Sequence, residues 1–196
     1  KIIILGNKFY SSSKIKSLMK TKEKKLLRFL SSADRYDPDK LEYDKQLVTQ
    51  FYNNNGYPEF KFITSIAQLS LNKNDFEIIL SIDEGSKYNF GEVNINTELK
   101  KMNAELLKSS LPFEKGNLYD ASKIQESVEG IKDAAELSGY SFIEINPRLD
   151  IDEENKFVNV NLEINEGPRV YVNKINISGN TRTVDKVIRR EFSLTE

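Results

Sequence analysis

Cysteine and histidine are both absent from this 196-residue sequence. Without cysteine there is no disulfide framework and no thiolate chemistry, whichever compartment the chain occupies. Without histidine, the commonest general base and the commonest transition-metal ligand are missing together. No Gly-x-Ser-x-Gly elbow is present either, so a hydrolase has neither nucleophile motif nor base. Excess charge of one sign is also lacking: 29 basic and 30 acidic residues leave a net charge of -1. A dedicated nucleic-acid binder carries a strongly basic face, so that class is disfavoured and no nucleic-acid partner is expected. No apolar run approaches the roughly 18 residues of a membrane-spanning helix. No signal peptide opens the chain, and Lys1 leading directly into Ile2-Ile3-Ile4-Leu5 reads as a fragment of a longer protein. The expectation is a non-enzymatic protein without cofactor or metal.

What is present is repetition. Gly56-Tyr57 recurs as Gly139-Tyr140, 83 residues on. The Glu84-Gly85 turn recurs as Glu166-Gly167, 82 residues on. The corner Gly6-Asn7 recurs as Gly179-Asn180 after 173 residues, about two such periods. Three markers with one period predict an array of similar small modules. The middle copy departs from the pattern, with Asn94-Ile95-Asn96-Thr97 and no glycine where the corner is due.

Within the first period, Ile2–Leu5 reads as a strand, and Ser11, Ser12 and Ser13 offer N-caps for a short helix through Met19. Asp37 caps a second helix whose first residue is Pro38, a position that proline favours. Leu41, Leu47, Val48, Phe51 and Tyr52 share one helical face, and Gly56 is suited to the left-handed turn that ends it. Two strands follow, about Glu59–Leu71 and Phe76–Asp83, joined through Asn72-Lys73-Asn74. The order is β-α-α-β-β. A second copy has strands at Tyr88–Asn96, Phe142–Ile151 and Lys156–Ile164, with helices around Ala104–Leu111 and Ala121–Ser138. A third has only a first strand, Val170–Ile177, and a first helix, Thr183–Phe192. The predicted divisions are 1–85, 86–167 and 168–196. Linkers of two or three residues predict a semi-rigid rod with one limited hinge per junction.

The run Thr21-Lys22-Glu23, Arg28-Phe29-Leu30-Ser31-Ser32, Tyr36-Asp37-Pro38-Asp39, Leu41, Tyr43-Asp44 and Phe51-Tyr52 with Gly56-Tyr57 resembles the third POTRA module of alphaproteobacterial outer-membrane assembly factors. Glu166-Gly167-Pro168-Arg169-Val170-Tyr171-Val172, with Gly179-Asn180-Thr181-Arg182-Thr183 and Val187-Ile188-Arg189-Arg190-Glu191, resembles the junction of the fourth module with the fifth. The resemblance covers essentially the whole chain. It implies an α+β fold of tandem modules, each a three-stranded mixed sheet covered on one face by two helices. It also implies a periplasmic location and three partners: unfolded outer-membrane proteins, accessory lipoproteins, and a membrane barrel in the same full-length chain. A related secretion or translocation barrel would have similar modules, and an RNA-binding α/β unit is a more distant reading that a GXXG loop would have supported.

In this topology the strand after the second helix lies at the sheet edge. Phe60 and Phe62 share one face of it, whereas Ile63, Ala67, Leu69 and Leu71 fall on the other phase, predicting a β-bulge between about Ile63 and Ile66. Phe60, Lys61, Phe62, Ile63, Thr64, Ser65, Ile66 and Ala67 are therefore the candidate peptide-binding edge, where a partner adds as a strand through main-chain bonds. Lys61 and Ser65 are candidate outward amides at which proline would block addition. The bland reading is an edge protected by its bulge and charges. Gly6, Asn7, Gly56, Tyr57, Glu84, Gly85, Gly139, Tyr140, Glu166, Gly167, Gly179 and Asn180 are read as structural turns and joints, with each tyrosine packed at a sheet edge. The basic run from Lys20 to Arg28 reads as a solvated segment folded onto its module, and Asp150, Asp152, Glu153 and Glu154 as a hairpin turn lacking the pattern of a calcium loop.

Overall fold

The structure, a computed structural model, describes residues 1–23, 37–69, 76–140, 142–167, 174–179, 182 and 184–191. The first unit contains β1 (Ile2–Leu5), α1 (Ser12–Leu18), α2 (Pro38–Asn53), β2 (Lys61–Leu69) and β3 (Phe76–Asp83). The second repeats that order with β4 (Asn89–Thr97), α3 (Ala104–Ser109), α4 (Ala121–Leu137), β5 (Ile143–Asp152) and β6 (Phe157–Glu166). A short helix, α5 (Asp185–Arg189), follows.

Local chemistry sets the helix starts. Ser11 Oγ accepts the Lys14 N–H at 3.2 Å, and Asp37 caps α2 through the Asp39 N–H at 3.0 Å with Pro38 at the first position. Asn103 and Asp120 do the same for α3 and α4. In both sheets the last strand lies in the middle, parallel to the first and antiparallel to the other, giving the orders β1-β3-β2 and β4-β6-β5. Alternation does the rest. Ile78, Leu80 and Ile82 of β3 point into a core shared with Ile2, Ile4, Ile15, Met19, Leu41, Val48 and Tyr52. Val158, Val160, Leu162 and Ile164 play the same part in the second unit, against Phe90, Val93, Leu107, Ile124 and Ile131. Each sheet thus has one face under its helices, and among the described residues no helix covers the other.

The third copy differs from expectation. Positions 170–173 of the anticipated strand lie outside the described residues, and Lys174–Ile177 is irregular backbone. In the first two units the leading strand is held by a central strand that follows both helices, and among the described residues no strand follows α5. The Asn72-Lys73-Asn74 turn, Asn180 and most of the basic run also lie outside the described residues.

Candidate functional site

The register of β2 decides which of its backbone groups are available. In a strand, the N–H and C=O of one residue point to the same side, and successive residues alternate. Ile78 donates its N–H to the Lys1 carbonyl at 2.8 Å, so Ile78, Leu80 and Ile82 turn their backbone groups toward β1. Their partners on β2 are Ala67, Ser65 and Phe62, which consequently face away from β3. Thr64, Ile66 and Gln68 pair instead with Ser81, Ile79 and Glu77, whose backbone groups point toward β2. Ser65, Ala67 and Leu69 therefore present N–H and C=O groups along an open edge, and no hydrogen bond among the described residues occupies them. Lys61 pairs with Asp83 and points inward, so of the two candidate amides only Ser65 is an outward one. The register shifts between Phe62 and Thr64, which makes Ile63 the bulge residue, at the start of the window anticipated from the phase change. Phe60 precedes the strand and is buried, stacked on Tyr52 with ring centroids 4.1 Å apart; it supports the edge and offers nothing to a partner.

Sheets protect their edges, and each of the three other edges here carries a protecting feature along part of its length. β1 has only four residues, and its Ile2 N–H is taken by Glu23 Oε1 at 2.7 Å. That bond, with Lys16 beside it, holds the Glu23 carboxyl below its usual range. The start of β4 is covered by the segment 116–119, through Phe90 N–H to the Asn117 carbonyl and Gly116 N–H to the Phe90 carbonyl, both at 2.8 Å. β5 carries Glu144, Arg148, Asp150 and Asp152, and in its middle Pro147. Pro147 pairs with Leu162 of β6 as Ser65 pairs with Leu80 of β3, so the two residues occupy matched positions. Proline has no N–H to offer, and it costs a sheet nothing where that N–H would face outward. By contrast, β2 from Phe62 to Leu69 has no charge and no proline.

Beneath this edge lies a carboxylate that binds the markers together. Glu84, 3% exposed, accepts the N–H groups of Lys8 and Phe9 at 2.7 and 2.9 Å and the Tyr52 hydroxyl at 2.6 Å. The loop it holds begins at Gly6-Asn7, where Asn7 Nδ2 donates to the Tyr10 carbonyl at 2.9 Å. Gly6 has φ +90°, and a Cβ there would lie 2.1 Å from the Ile82 carbonyl oxygen, so only glycine fits. The Gly-Asn corner and the Glu-Gly turn are thus two halves of one clamp. Where the second unit lacks the corner, Glu166 is exposed. Burial, with Glu84 beside it, pushes the Tyr52 hydroxyl well above its usual range.

The Gly56-Tyr57 pair also does more than end a helix. Tyr57 is buried, its ring 5.1 Å from that of Phe9 and 5.7 Å from that of Tyr52, so it is a core residue rather than an edge residue as expected. Gly56 has φ +97° and forms the joint between the units: its carbonyl accepts the Tyr88 N–H at 2.8 Å, and a Cβ there would fall 2.7 Å from Leu118. Tyr88 reaches back to donate its hydroxyl to Glu59 Oε2 at 2.6 Å, and burial together with that carboxylate raises its pKa. Gly85, Gly139 and Gly179 also have positive φ, whereas Gly167 does not; it donates its N–H to the Phe142 carbonyl at 3.0 Å. Tyr140 packs partly buried against the second core. The acidic cluster is a hairpin turn, with Asp152 accepting the Asn155 N–H at 2.9 Å. Among the described residues no acidic cluster could hold a metal ion, and no helix is long and apolar enough to cross a membrane.

Sequence reasoning missed Asp44. It is fully buried on α2, where it accepts the N–H groups of Lys20 and Thr21. The only signal was a charged residue at a helical spacing from Leu41 and Val48.

A family model named POTRA, described as surface antigen variable number repeat, matches residues 1–85 and 88–167. The outer membrane protein assembly factor BamA of Neorickettsia risticii is 30% identical over 97% of this chain, and that of Neisseria meningitidis is 29% identical over 97%. The chain spans about a quarter of these relatives, 26% and 24% of their lengths. A crystal structure of the third to fifth POTRA modules of Haemophilus influenzae BamA matches with a TM-score of 0.74 at 24% identity, covering 100% of this chain and 76% of that one.

Proposed function

The chain belongs to the POTRA family, and on that premise we propose that it is a periplasmic scaffold of a BamA-type assembly factor that holds unfolded β-barrel precursors by strand addition to β2. Modules at 1–85 and 86–167 form its body, and 168–196 opens a further one. The carrying observation is the charge-free edge whose Ser65, Ala67 and Leu69 backbone groups point outward, while the matched position of the neighbouring module holds Pro147. An extended chain pairing there gains main-chain bonds with little demand on its sequence, as a carrier of many precursors needs. Kinship alone supports the accessory lipoproteins and the membrane barrel as further partners. Its role is to position a substrate, with no chemical step.

Ser65→Pro tests this reading, because it copies the arrangement that the second module already tolerates. With a photo-crosslinker at Gln68, crosslinking to a urea-denatured outer-membrane barrel polypeptide should fall several-fold while circular dichroism stays unchanged. Undiminished crosslinking would overturn the proposal.

A further inference from the structure

One face of α2 is uncharged where the matched face of α4 is charged. The turns that end the two helices correspond: Tyr57 donates its N–H to the Tyr52 carbonyl at 3.0 Å, and Tyr140 to the Ala135 carbonyl at 2.9 Å. With the helices aligned on those turns, Gln46, Thr49, Gln50 and Asn53 correspond to Glu129, Lys132, Asp133 and Glu136. The four on α4 are exposed and charged, as a solvated helix face ordinarily is. Those on α2, with Asn54 beyond them, instead line a cleft of about 490 Å³ whose other wall is Ser122 and Gln125 of α4. The only charges in the cleft, Glu42 and Lys45, pair with each other at 2.6 Å, so it favours neither an anion nor a cation. Its amides are unused. Among the described residues the side chains of Gln46, Thr49, Gln50, Asn53 and Asn54 make no hydrogen bond, whereas Asn55 donates Nδ2 to the Phe51 carbonyl at 2.7 Å. Asn53 Oδ1 is buried without a donor, a costly state for an acceptor. The terminal torsion of asparagine is soft, so a donor entering the cleft can draw the amide round.

We propose that this cleft between α2 and α4 is a second site for unfolded polypeptide, holding an extended main chain by its peptide groups. A primary amide carries the same donor and acceptor pair as a peptide group, so Asn and Gln pair with a main chain whatever side chains it bears. Glu42, Gln46, Gln50 and Asn53 follow one another along three turns of α2. Those turns span about 16 Å, the length of about five residues of extended chain. Neutral walls suit a main chain, which carries no charge, and give no hold on an ion. The site is separate from the β2 edge: its partners are side chains on helices, so it imposes no strand register. It stands or falls independently of strand addition.

The test uses the 196-residue chain and a labelled ten-residue peptide of Ser, Thr and Ala with both ends capped, beside the same peptide N-methylated at alternate residues. In the Ser65→Pro chain, where the β2 edge is blocked, fluorescence anisotropy should still show binding, tighter for the unmodified peptide. Adding Gln46→Ala, Gln50→Ala and Asn53→Ala, all compatible with the helix, should weaken the unmodified peptide about three- to tenfold and erase its advantage. Gln46→Glu with Gln50→Asp copies the face that α4 already carries, removes the donors, and should weaken binding as well. No binding in Ser65→Pro would place all of it at the β2 edge and overturn the cleft. Equal affinity with and without the alanines, or equal affinity for the two peptides, overturns it too. Binding that ignores Ser65→Pro yet falls with the alanines upholds the cleft and overturns strand addition.

Discussion

Glu84→Ala removes the acceptor at the centre of the first module, and the size of the loss follows from what it leaves behind. Four donors lose their partner: the N–H groups of Lys8, Phe9 and Tyr10 and the Tyr52 hydroxyl, at 2.7, 2.9, 3.4 and 2.6 Å from the carboxylate. An orphaned donor in a partly buried site costs about 1–3 kcal/mol. Removing the carboxylate returns part of its own desolvation penalty, so the net loss is about 3–5 kcal/mol rather than the full sum. A module of this size has a total stability of about 4–13 kcal/mol. Since 1 kcal/mol corresponds to about 4–8 °C in a domain of this length, the first module should melt at least about 12 °C lower. The assay is calorimetry combined with amide exchange, in which the Lys8 and Phe9 amides should lose protection. Tyr52→Phe should show part of the effect, and the double variant should be less than additive, because both residues share one bond. Glu166→Ala, on the exposed counterpart, should cost under about 1 kcal/mol. A Glu84→Ala variant within about 1 kcal/mol of the parent would refute the clamp.

Alkaline pH should unfold the chain through its buried phenols. Tyr52 and Tyr88 are raised above the ordinary 10.0, chiefly by burial and then by Glu84 and Glu59, and Tyr119 is pushed up to about 12 by burial and Asp120. The unfolded chain releases these protons first, so the stabilisation is complete below pH 10 and is lost as pH rises toward 12. At pH 11 each phenol withdraws on the order of 1 kcal/mol; a urea midpoint unchanged between pH 8 and 11 contradicts this. Gly56→Ala should destabilise by about 1–2 kcal/mol, because alanine is strained at φ +97° and its methyl meets Leu118. Amide exchange at Tyr88, whose N–H bonds the Gly56 carbonyl, should quicken; an unchanged rate would show that Gly56 does not hold the joint.

Much of this was legible in residue patterns. Both five-element modules follow from helix caps such as Asp37-Pro38 and from strand alternation such as Val158, Val160, Leu162 and Ile164, because those signals are local. The bulge was visible as a change of phase, since a single inserted residue flips every side chain beyond it. Other features required the third dimension. The Glu84 clamp joins residues 74–76 positions apart, so the corner and the turn looked like separate markers. Tyr57 was placed at a sheet edge because turn chemistry accounts for the glycine beside it but says nothing of where the ring goes. Which amides of β2 face outward depends on the hydrogen bonds on the far side of β3, and Lys61 and Ser65 cannot be told apart without them. The contrast between Ser65 and Pro147 appears only once the two registers are aligned.

Amide hydrogen exchange along β2 tests strand addition most directly, in the presence and absence of a ten-residue peptide of alternating apolar and polar residues. Binding should slow exchange at Ser65, Ala67 and Leu69, whose N–H groups face outward, while Thr64, Ile66 and Gln68, already bonded to β3, change little. Protection confined to other surfaces, with Ser65, Ala67 and Leu69 exchanging as fast as in the free chain, would contradict the central claim.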